Sequence, residues 1–288
     1  MKNSFYSLNS PNPDITSISI GGFDGIHLAH QELFDKLDNS SNSAIVVIES
    51  GYSNLTPKSY RENFTDLPIY YYELSSIKHL SAEEFLDKLL NIFPNLALIV
   101  VGYDFAFGSN RTHKAQDLQN LFSLKYDGET KIVDEFKIDG ISVHSKAIRD
   151  FIKTSQIQLA NKLLGRNYQI SGRSISGQGL GKSDFVPTIN IEVNDFLLLA
   201  NGVYATSTII DDISYPSISF IGIRETTDDK FAIETHILDS QIEVNDKKMI
   251  KIEFIYKIRD NKKFESFEEL KMQINLDIEE AKYNKKMI

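Results

Sequence analysis

The sequence predicts two domains of different class: a doubly wound α/β domain with a parallel sheet over residues 1–164, then a mainly β domain over residues 165–288, a six-stranded barrel with a terminal helix. Three observations predict this. Apolar runs at Ile18–Ile20, Ala44–Ile48 and Leu96–Val101 alternate with helical patterns, the texture of parallel strands covered on both faces. Two of these runs lead directly into glycine-rich stretches, Gly21–Gly25 and Gly102–Gly108, at the strand ends where open α/β sheets bind ligands. Beyond Gly165 six short runs follow one another with polar or glycine-containing turns and no helix between them, which suggests a closed antiparallel barrel.

Taken in order, residues 15–20 form the first strand, and Ile26, Ala29, Leu33, Phe34 and Leu37 mark one helical face behind the glycines. Ala44–Ile48 is the second strand, followed by a polar stretch from Gly51 to Arg61. Ser81-Ala82-Glu83-Glu84 is a capping box that opens a helix with Phe85, Leu86, Leu89 and Leu90 as its stripe. The strand Leu96–Val101 precedes Gly102, and a helical pattern runs from Ser145 to Leu164, with Gly165 as its terminator. The barrel strands are read at Tyr168–Ile175, Thr188–Val193, Val203–Ile210, Ser217–Ile223, Lys230–Leu238 and Met249–Arg259. A second capping box, Ser266 to Glu269, begins the last helix, with Phe267, Leu270, Ile274, Ile278 and Ala281 on one stripe.

Composition narrows the chemistry. A chain of 288 residues with 41% hydrophobic and 25% charged residues is ordinary for a globular protein and long enough for two modest cores. Its net charge of −9 argues against a nucleic-acid partner, which requires a basic face. No apolar run reaches the length of a bilayer span, so no membrane partner is expected. With no cysteine, disulfides, thiolate catalysis and cysteine-bound metals are excluded, and cytoplasmic residence is expected. Oligomeric state is not legible.

Gly21, Gly22, Phe23, Asp24 and Gly25 form a strand-to-helix turn of the kind that cradles phosphate, because glycines admit close backbone approach and the helix start offers free N–H groups. His27 and His30 emerge three residues apart on the first turn. Asp104 and Arg111 belong to no apolar pattern, whereas Phe105 and Phe107 read as core plugs. In the second half, Gly177, Gly179, Gly181 and Lys182 form a flexible stretch before Pro187, and Thr188 and Asn190 co-face at period-two spacing as hard oxygen donors suited to Mg²⁺. Glu234 and His236 point opposite to Phe231, Ile233 and Ile237. By pattern alone a mid-strand carboxylate of this kind reads as a surface residue more readily than as a base.

Taken together, Gly21-Gly22-Phe23-Asp24-Gly25-Ile26-His27-Leu28-Ala29-His30, Val101–Arg111, Leu163-Leu164-Gly165-Arg166-Asn167-Tyr168, the Gly177–Asn190 stretch and Glu234-Thr235-His236 resemble the bacterial bifunctional riboflavin kinase/FMN adenylyltransferase (FAD synthetase) family. The resemblance implies a nucleotidyltransferase-type sheet followed by a riboflavin-kinase-like barrel. It implies ATP, with Mg²⁺, as co-substrate, and riboflavin and FMN as the flavins acted upon. It implies that Gly21–Gly25, His27, His30, Asp104, Arg111, Ser145 and Arg149 handle ATP for adenylyl transfer, with the two histidines catalytic, while Lys146, which replaces the family's threonine, is expected to serve as a phosphate point charge. In the barrel it implies Glu234 as the general base, Thr188 and Asn190 as metal ligands, and Gly177, Gly179, Gly181, Lys182, Pro187 and Arg259 as the nucleotide and flavin contacts. The sequence departs from the family pattern at Ala29, His113, His144 and Lys146 in the first half, and at Lys182, Phe185, Val186 and Ile189 in the second. The alternatives are a riboflavin kinase with a degenerate adenylyltransferase domain, and a non-catalytic flavin-binding regulator.

Overall fold

A computed structural model describes residues 10–38, 42–52, 54–176, 186–240, 242 and 244–285. The chain divides into two compact units at the Ser145–Lys146 link.

In the first unit, β1 (Ser17–Gly21), α1 (Leu28–Phe34), β2 (Ser43–Glu49), β3 (Ile69–Glu73), α2 (Leu74–Ile77), α3 (Ala82–Ile92) and β4 (Leu98–Gly102) follow in order. A small hairpin, β5 (Ala106–Phe107) with β6 (His113–Lys114), precedes α4 (Ala115–Tyr126), β7 (Glu129–Val133), and a second hairpin of β8 (Lys137–Ile138) and β9 (Ile141–Ser142). The main sheet has the order β3-β2-β1-β4-β7, and all its pairs are parallel.

Alternation along each strand serves two cores. Ala44 and Val46 pack with Ile18, Ile20, Phe85, Leu86 and Phe122 on one face. Ile45 and Val47 pack with Phe23, Ile26, Leu33 and Val100 on the other. Both faces are covered, as the uninterrupted apolar runs require. The order reverses between β1 and β4, so the turns after these two strands flank a topological switch point, the place at which open α/β sheets bind their ligands.

The capping box at Ser81 is present: its hydroxyl accepts from the Glu84 N–H at 3.2 Å, and the Glu84 carboxylate accepts from the Ser81 N–H at 2.8 Å. Phe105 and Phe107 are buried, and Phe107 packs against Phe85, so these aromatics do plug the core. Two helical expectations change. Ile26 is fully buried, but through the turn ahead of α1 rather than through the helix face. The continuous helix expected from Ser145 to Leu164 is two helices, α5 (Ser145–Lys153) and α6 (Ile157–Leu164). The Thr154 hydroxyl donates to the Asp150 carbonyl at 2.8 Å and Ser155 takes a left-handed φ of 60°, which breaks the ladder at that point. Gly165 ends α6 with φ 72°, as a terminating glycine does.

In the second unit α6 lies on the barrel: the Asn161 side chain donates to the Phe254 carbonyl at 2.8 Å and accepts from the Tyr168 N–H at 2.7 Å. The barrel strands are β10 (Tyr168–Ile175), β11 (Ile189–Val193), β12 (Gly202–Ile210), β13 (Ile213–Ile223), β14 (Phe231–Ile237) and β15 (Met249–Asp260). They close in the order β10-β11-β14-β13-β12-β15. β13 starts four residues before the expected Ser217, because Pro216 reads as a break; residues 213–216 pair with β12, and the ladder with β14 begins at Ser217. The barrel interior is partly polar. Thr206, Thr208, Ser217, Ser219 and Thr235 are buried and joined by hydroxyl hydrogen bonds of 2.7–3.0 Å. Thr208 and Thr235 touch although β13 lies between their strands, which fixes these side chains on the inner face.

The last helix, α7 (Phe267–Lys285), rests Ile278 and Ala281 on Ala205, Ile218 and Leu238. Arg259 on β15 braces it: its Nε donates to both Asp277 oxygens at 3.0 Å and its Nη2 lies 2.9 Å from Oδ2. No helix among the described residues is long and apolar enough to cross a membrane.

Candidate active sites

The first site grows from the turn after β1. Phe23, Gly25 and Ile26 have φ of 45°, 96° and 39°. Only glycine tolerates that region freely, and for β-branched Ile26 the strain is of order 1–3 kcal/mol. Three fastenings hold the turn. The Asp24 carboxylate, 4% exposed, accepts the N–H groups of Asn54, Leu55 and Thr56 at 3.2, 3.0 and 3.0 Å. The Gly25 N–H donates to the Thr56 hydroxyl at 2.7 Å, and the Ser145 hydroxyl donates to the Asp24 carbonyl at 2.7 Å. Asp24, grouped by sequence with the phosphate contacts, therefore braces the 54–56 loop. The loop residues that do this carry no pattern legible in the sequence.

His27 and His30 come together as expected, their rings stacked at 3.5 Å between centroids, and Phe23 meets His30 edge-on at 5.1 Å. His27 is buried and His30 half-buried, while Gly22 is exposed beside them. Across the switch point, Asp104 is exposed after β4 and Arg111 is exposed on a short turn where both Asn110 and Arg111 are left-handed. His113 packs against Phe107, and its Nδ1 would lie 2.9 Å from a Cβ added at Gly108, so that glycine cannot be replaced without moving the ring. On α5, Lys146 is exposed and Arg149 half-buried, one turn beyond Ser145.

The second site lies on the outer face of the barrel, since Thr235 points inward and its neighbours outward. Glu234 and Asn190 stand directly opposite in the β11–β14 pair, so their side chains share that face. Together with Ser176, Arg224, Asp228 and Phe231, Asn190 lines a groove of about 460 Å³. Burial pushes the Glu234 carboxyl above its ordinary value, and the Arg224 guanidinium opposes that shift. His236, on the same face, donates its Nδ1–H to the Pro187 carbonyl at 2.8 Å, tying the residue before Thr188 to β14. Burial holds the His236 imidazole below its ordinary value. Thr188 is exposed and Asn190 half-buried at the start of β11. Gly177, Gly179, Gly181 and Lys182 lie outside the described residues. Arg259, expected at the nucleotide or flavin, pairs its Nε and Nη2 with Asp277. Sequence reasoning misses Arg224 and Asp228, because a turn cation ten residues before Glu234 carries no pattern of its own.

Comparison with known proteins gives both halves a family. The family described as Riboflavin kinase matches residues 164–284, and the one described as FAD synthetase matches residues 69–147. A bifunctional riboflavin kinase/FMN adenylyltransferase of Buchnera aphidicola subsp. Acyrthosiphon pisum is 35% identical over 286 residues, 91% of this chain and 90% of that one. The protein of the same description from Pseudomonas fluorescens is 30% identical over 285 residues, 92% and 91% of the two chains. A crystal structure described as a macrolide-efflux protein from Streptococcus pneumoniae superposes with a TM-score of 0.80 at 25% identity, over 95% of this chain and 96% of that one. A switch-point turn carrying paired histidines, a barrel carrying an outward Glu–Asn pair, and relatives that match across both units place the chain in the bifunctional riboflavin kinase/FMN adenylyltransferase family.

Proposed function

We propose that this chain makes FAD in two ATP-dependent steps, phosphorylating riboflavin to FMN with the domain spanning residues 165–288 and joining FMN to AMP, with release of pyrophosphate, with the domain spanning residues 1–164. The observation that carries the reading is the co-occurrence of both family matches in one chain, each falling on the unit whose geometry suits it. Cytoplasmic residence, where ATP and free flavins meet, belongs to the same reading.

In the kinase step the riboflavin 5′-hydroxyl attacks the γ-phosphorus of ATP. The O–P bond to the β,γ-bridging oxygen breaks, and the hydroxyl proton passes to Glu234. Glu234 suits this role because its burial raises its basicity, and the Arg224 guanidinium 2.9 Å away opposes that shift and holds one carboxylate oxygen. Thr188 and Asn190 fit a Mg²⁺ ion: both are oxygen donors, Asn190 stands opposite Glu234 in the strand pair, and among the described residues no histidine or carboxylate cluster offers a rival metal site. When bound, Mg²⁺ would neutralise charge on the transferring phosphoryl group. Pro187, held by His236, orients the segment that bears these two ligands.

The adenylyl step needs no buried base, because the FMN phosphate is already ionised. Its oxygen attacks the α-phosphorus of ATP and pyrophosphate leaves. The chain's task there is alignment and charge stabilisation. The strained Gly21–Ile26 turn presents backbone close to the ligand, and His27 and His30 supply donors. Arg111, Ser145, Lys146 and Arg149 supply further hydrogen bonds and positive charge, and Asp104 is assigned to the same ATP contact.

A second reading, a kinase whose first domain no longer transfers adenylate, is favoured by the departures at Ala29, His113 and Lys146. Incubation of the purified chain with riboflavin, ATP and Mg²⁺ separates the readings. FAD accumulates under the first, FMN reaches a plateau under the second, and flavin binding without ATP consumption would mark a regulator.

A further inference from the structure

Arg61 is the largest fully buried side chain among the described residues, and neither candidate site uses it. It sits in the 3₁₀ turn Lys58–Phe64, just after the loop that braces Asp24. Its Nη1 donates to Glu49 Oε2 at 2.8 Å and to the Lys58 carbonyl at 3.0 Å. Its Nε and Nη2, also buried, make no hydrogen bond among the described residues. A guanidinium taken from water with most of its donors idle is a poor way to stabilise a fold. Well-packed apolar side chains would fill the space at less cost. What the arginine ties together accounts for it better.

Both of its partners are fixed points. Glu49 ends β2, directly beside Glu73 of β3. Like charges side by side on neighbouring strands repel, and Arg61 gives Glu49 the opposite charge. Lys58 opens the 3₁₀ turn in a left-handed conformation, φ 51°, which is uncommon for a residue with a side chain. Its carbonyl accepts from Arg61 and also from the Tyr71 hydroxyl of β3 at 3.4 Å. Burial pushes Tyr71 up to about 12, so the phenol keeps its proton and donates. The 3₁₀ turn is thus clamped to β2 and β3.

The clamp acts on the first site through a short run of chain. Two residues before Lys58, Thr56 gives its N–H to Asp24 and takes the Gly25 N–H on its hydroxyl. Asn54 and Leu55 also donate to Asp24. Leu55 and Thr56 are buried, and the fixed φ of Pro57 stiffens the link between them and Lys58. Holding Lys58 therefore holds the three N–H groups beneath the strained turn from which His27 and His30 emerge.

We propose that Arg61 is a positioning residue for adenylyl transfer: by joining Glu49 to the Lys58 carbonyl it holds the 54–58 segment, and with it the Gly21–Ile26 turn, in the geometry that receives ATP. The proposal rests on the reading of residues 1–164 as the adenylyltransferase.

The test uses the full chain with Arg61→Met, Arg61→Lys and the double variant Arg61→Met/Glu49→Leu. Each is assayed for kcat and for KM of ATP in FAD formation from supplied FMN, with riboflavin phosphorylation by the same sample as reference. Arg61→Met lowers kcat of FAD formation about tenfold or more, with a smaller change in KM, because a slightly displaced turn loses alignment. Riboflavin phosphorylation keeps its rate. Arg61→Lys, which keeps the charge but cannot span both partners, falls between. The double variant removes both charges, so it unfolds at or above the original temperature and yet makes FAD as slowly as Arg61→Met. A residue that served stability alone would regain activity as the double variant regained stability.

Amide hydrogen exchange over residues 21–27 and 54–58 follows the clamp without turnover, and Arg61→Met speeds it about tenfold in both segments. If the unmodified chain forms no FAD from FMN, the reading of the first domain fails, and exchange still decides whether Arg61 holds the turn. Unchanged kcat, or unchanged exchange over 21–27, in Arg61→Met overturns the proposal. Equal loss of both reactions, or recovery of FAD formation in the double variant, does the same.

Discussion

Ser145 and Asp24, 121 residues apart, are joined by a 2.7 Å hydrogen bond from the Ser145 hydroxyl to the Asp24 carbonyl. This bond ties the start of α5 to the strained turn after β1, so two motifs distant in sequence act on one piece of backbone. Ser145→Ala removes the tie with the loss of a single oxygen atom, and alanine still favours the helix. FAD formation from supplied FMN should fall about three- to tenfold in kcat/KM, the scale of one net hydrogen bond. Riboflavin phosphorylation by the same sample should stay at its original rate. An equal loss in both reactions would show that the bond matters to the chain as a whole.

Asp24→Asn tests the brace beneath that turn. The carboxylate accepts three backbone N–H groups, whereas an amide has one oxygen and turns an NH₂ toward a donor. The mismatch should cost the first unit about 1–3 kcal/mol. Thermal unfolding should therefore show an earlier transition, and FAD synthesis should fail at a temperature where FMN formation continues. An unchanged melting profile with lost activity would instead give Asp24 a direct part in ATP binding.

Glu234→Gln should abolish FMN formation and leave FAD synthesis from supplied FMN intact, while His30→Ala should do the reverse. For the unmodified chain the pH dependence has a definite sign. The base acts only when ionised, and burial raises the pH at which Glu234 loses its proton. The kinase rate should thus rise with pH through a midpoint above the ordinary glutamate range. A midpoint at or below that range would mean that another group accepts the proton.

The brace between barrel and last helix gives a stability prediction. Asp277 is 2% exposed and takes a bidentate pair from Arg259. Asp277→Ala leaves the arginine charge partly buried without its partner, at a cost of about 3 kcal/mol at the upper end, since Arg259 is itself 19% exposed and partly solvated. Urea unfolding should report the loss, and a midpoint within error of the original would place the pair among solvent-screened ones.

Much of this architecture is legible in the amino-acid order. Uninterrupted runs such as Ala44–Ile48 and Leu96–Val101 have one stable placement, a strand covered on both faces, and the barrel strands alternate cleanly enough to locate each within a few residues. Two sheet strands carry no such signal. Ile69–Glu73 is rich in tyrosine, and Glu129–Val133 mixes charge with apolar residues, so neither reads as a buried run. Their pairing comes from the neighbours β2 and β4, which supply the hydrogen bonds and cover that local pattern does not advertise. The break at Thr154 is hidden for a related reason, because a single serine in a left-handed conformation leaves helical periodicity intact on both sides.

By itself, the sequence determined the order of the two domains, the strand-then-glycine turns, the paired histidines and the residues that face one another by period. Those features depend on near neighbours along the chain, whose geometry the backbone dictates. Only the tertiary structure decided that Asp24 braces a loop, that Arg259 is committed to α7, that Glu234 lies outside the barrel opposite Asn190, and that Arg224 pairs with both Glu234 and Asp228. Each of these turns on which polar group finds which partner across tens of residues. Burial settles that choice, because a charge removed from water is held by whichever opposite charge or donor the packing brings within about 3 Å.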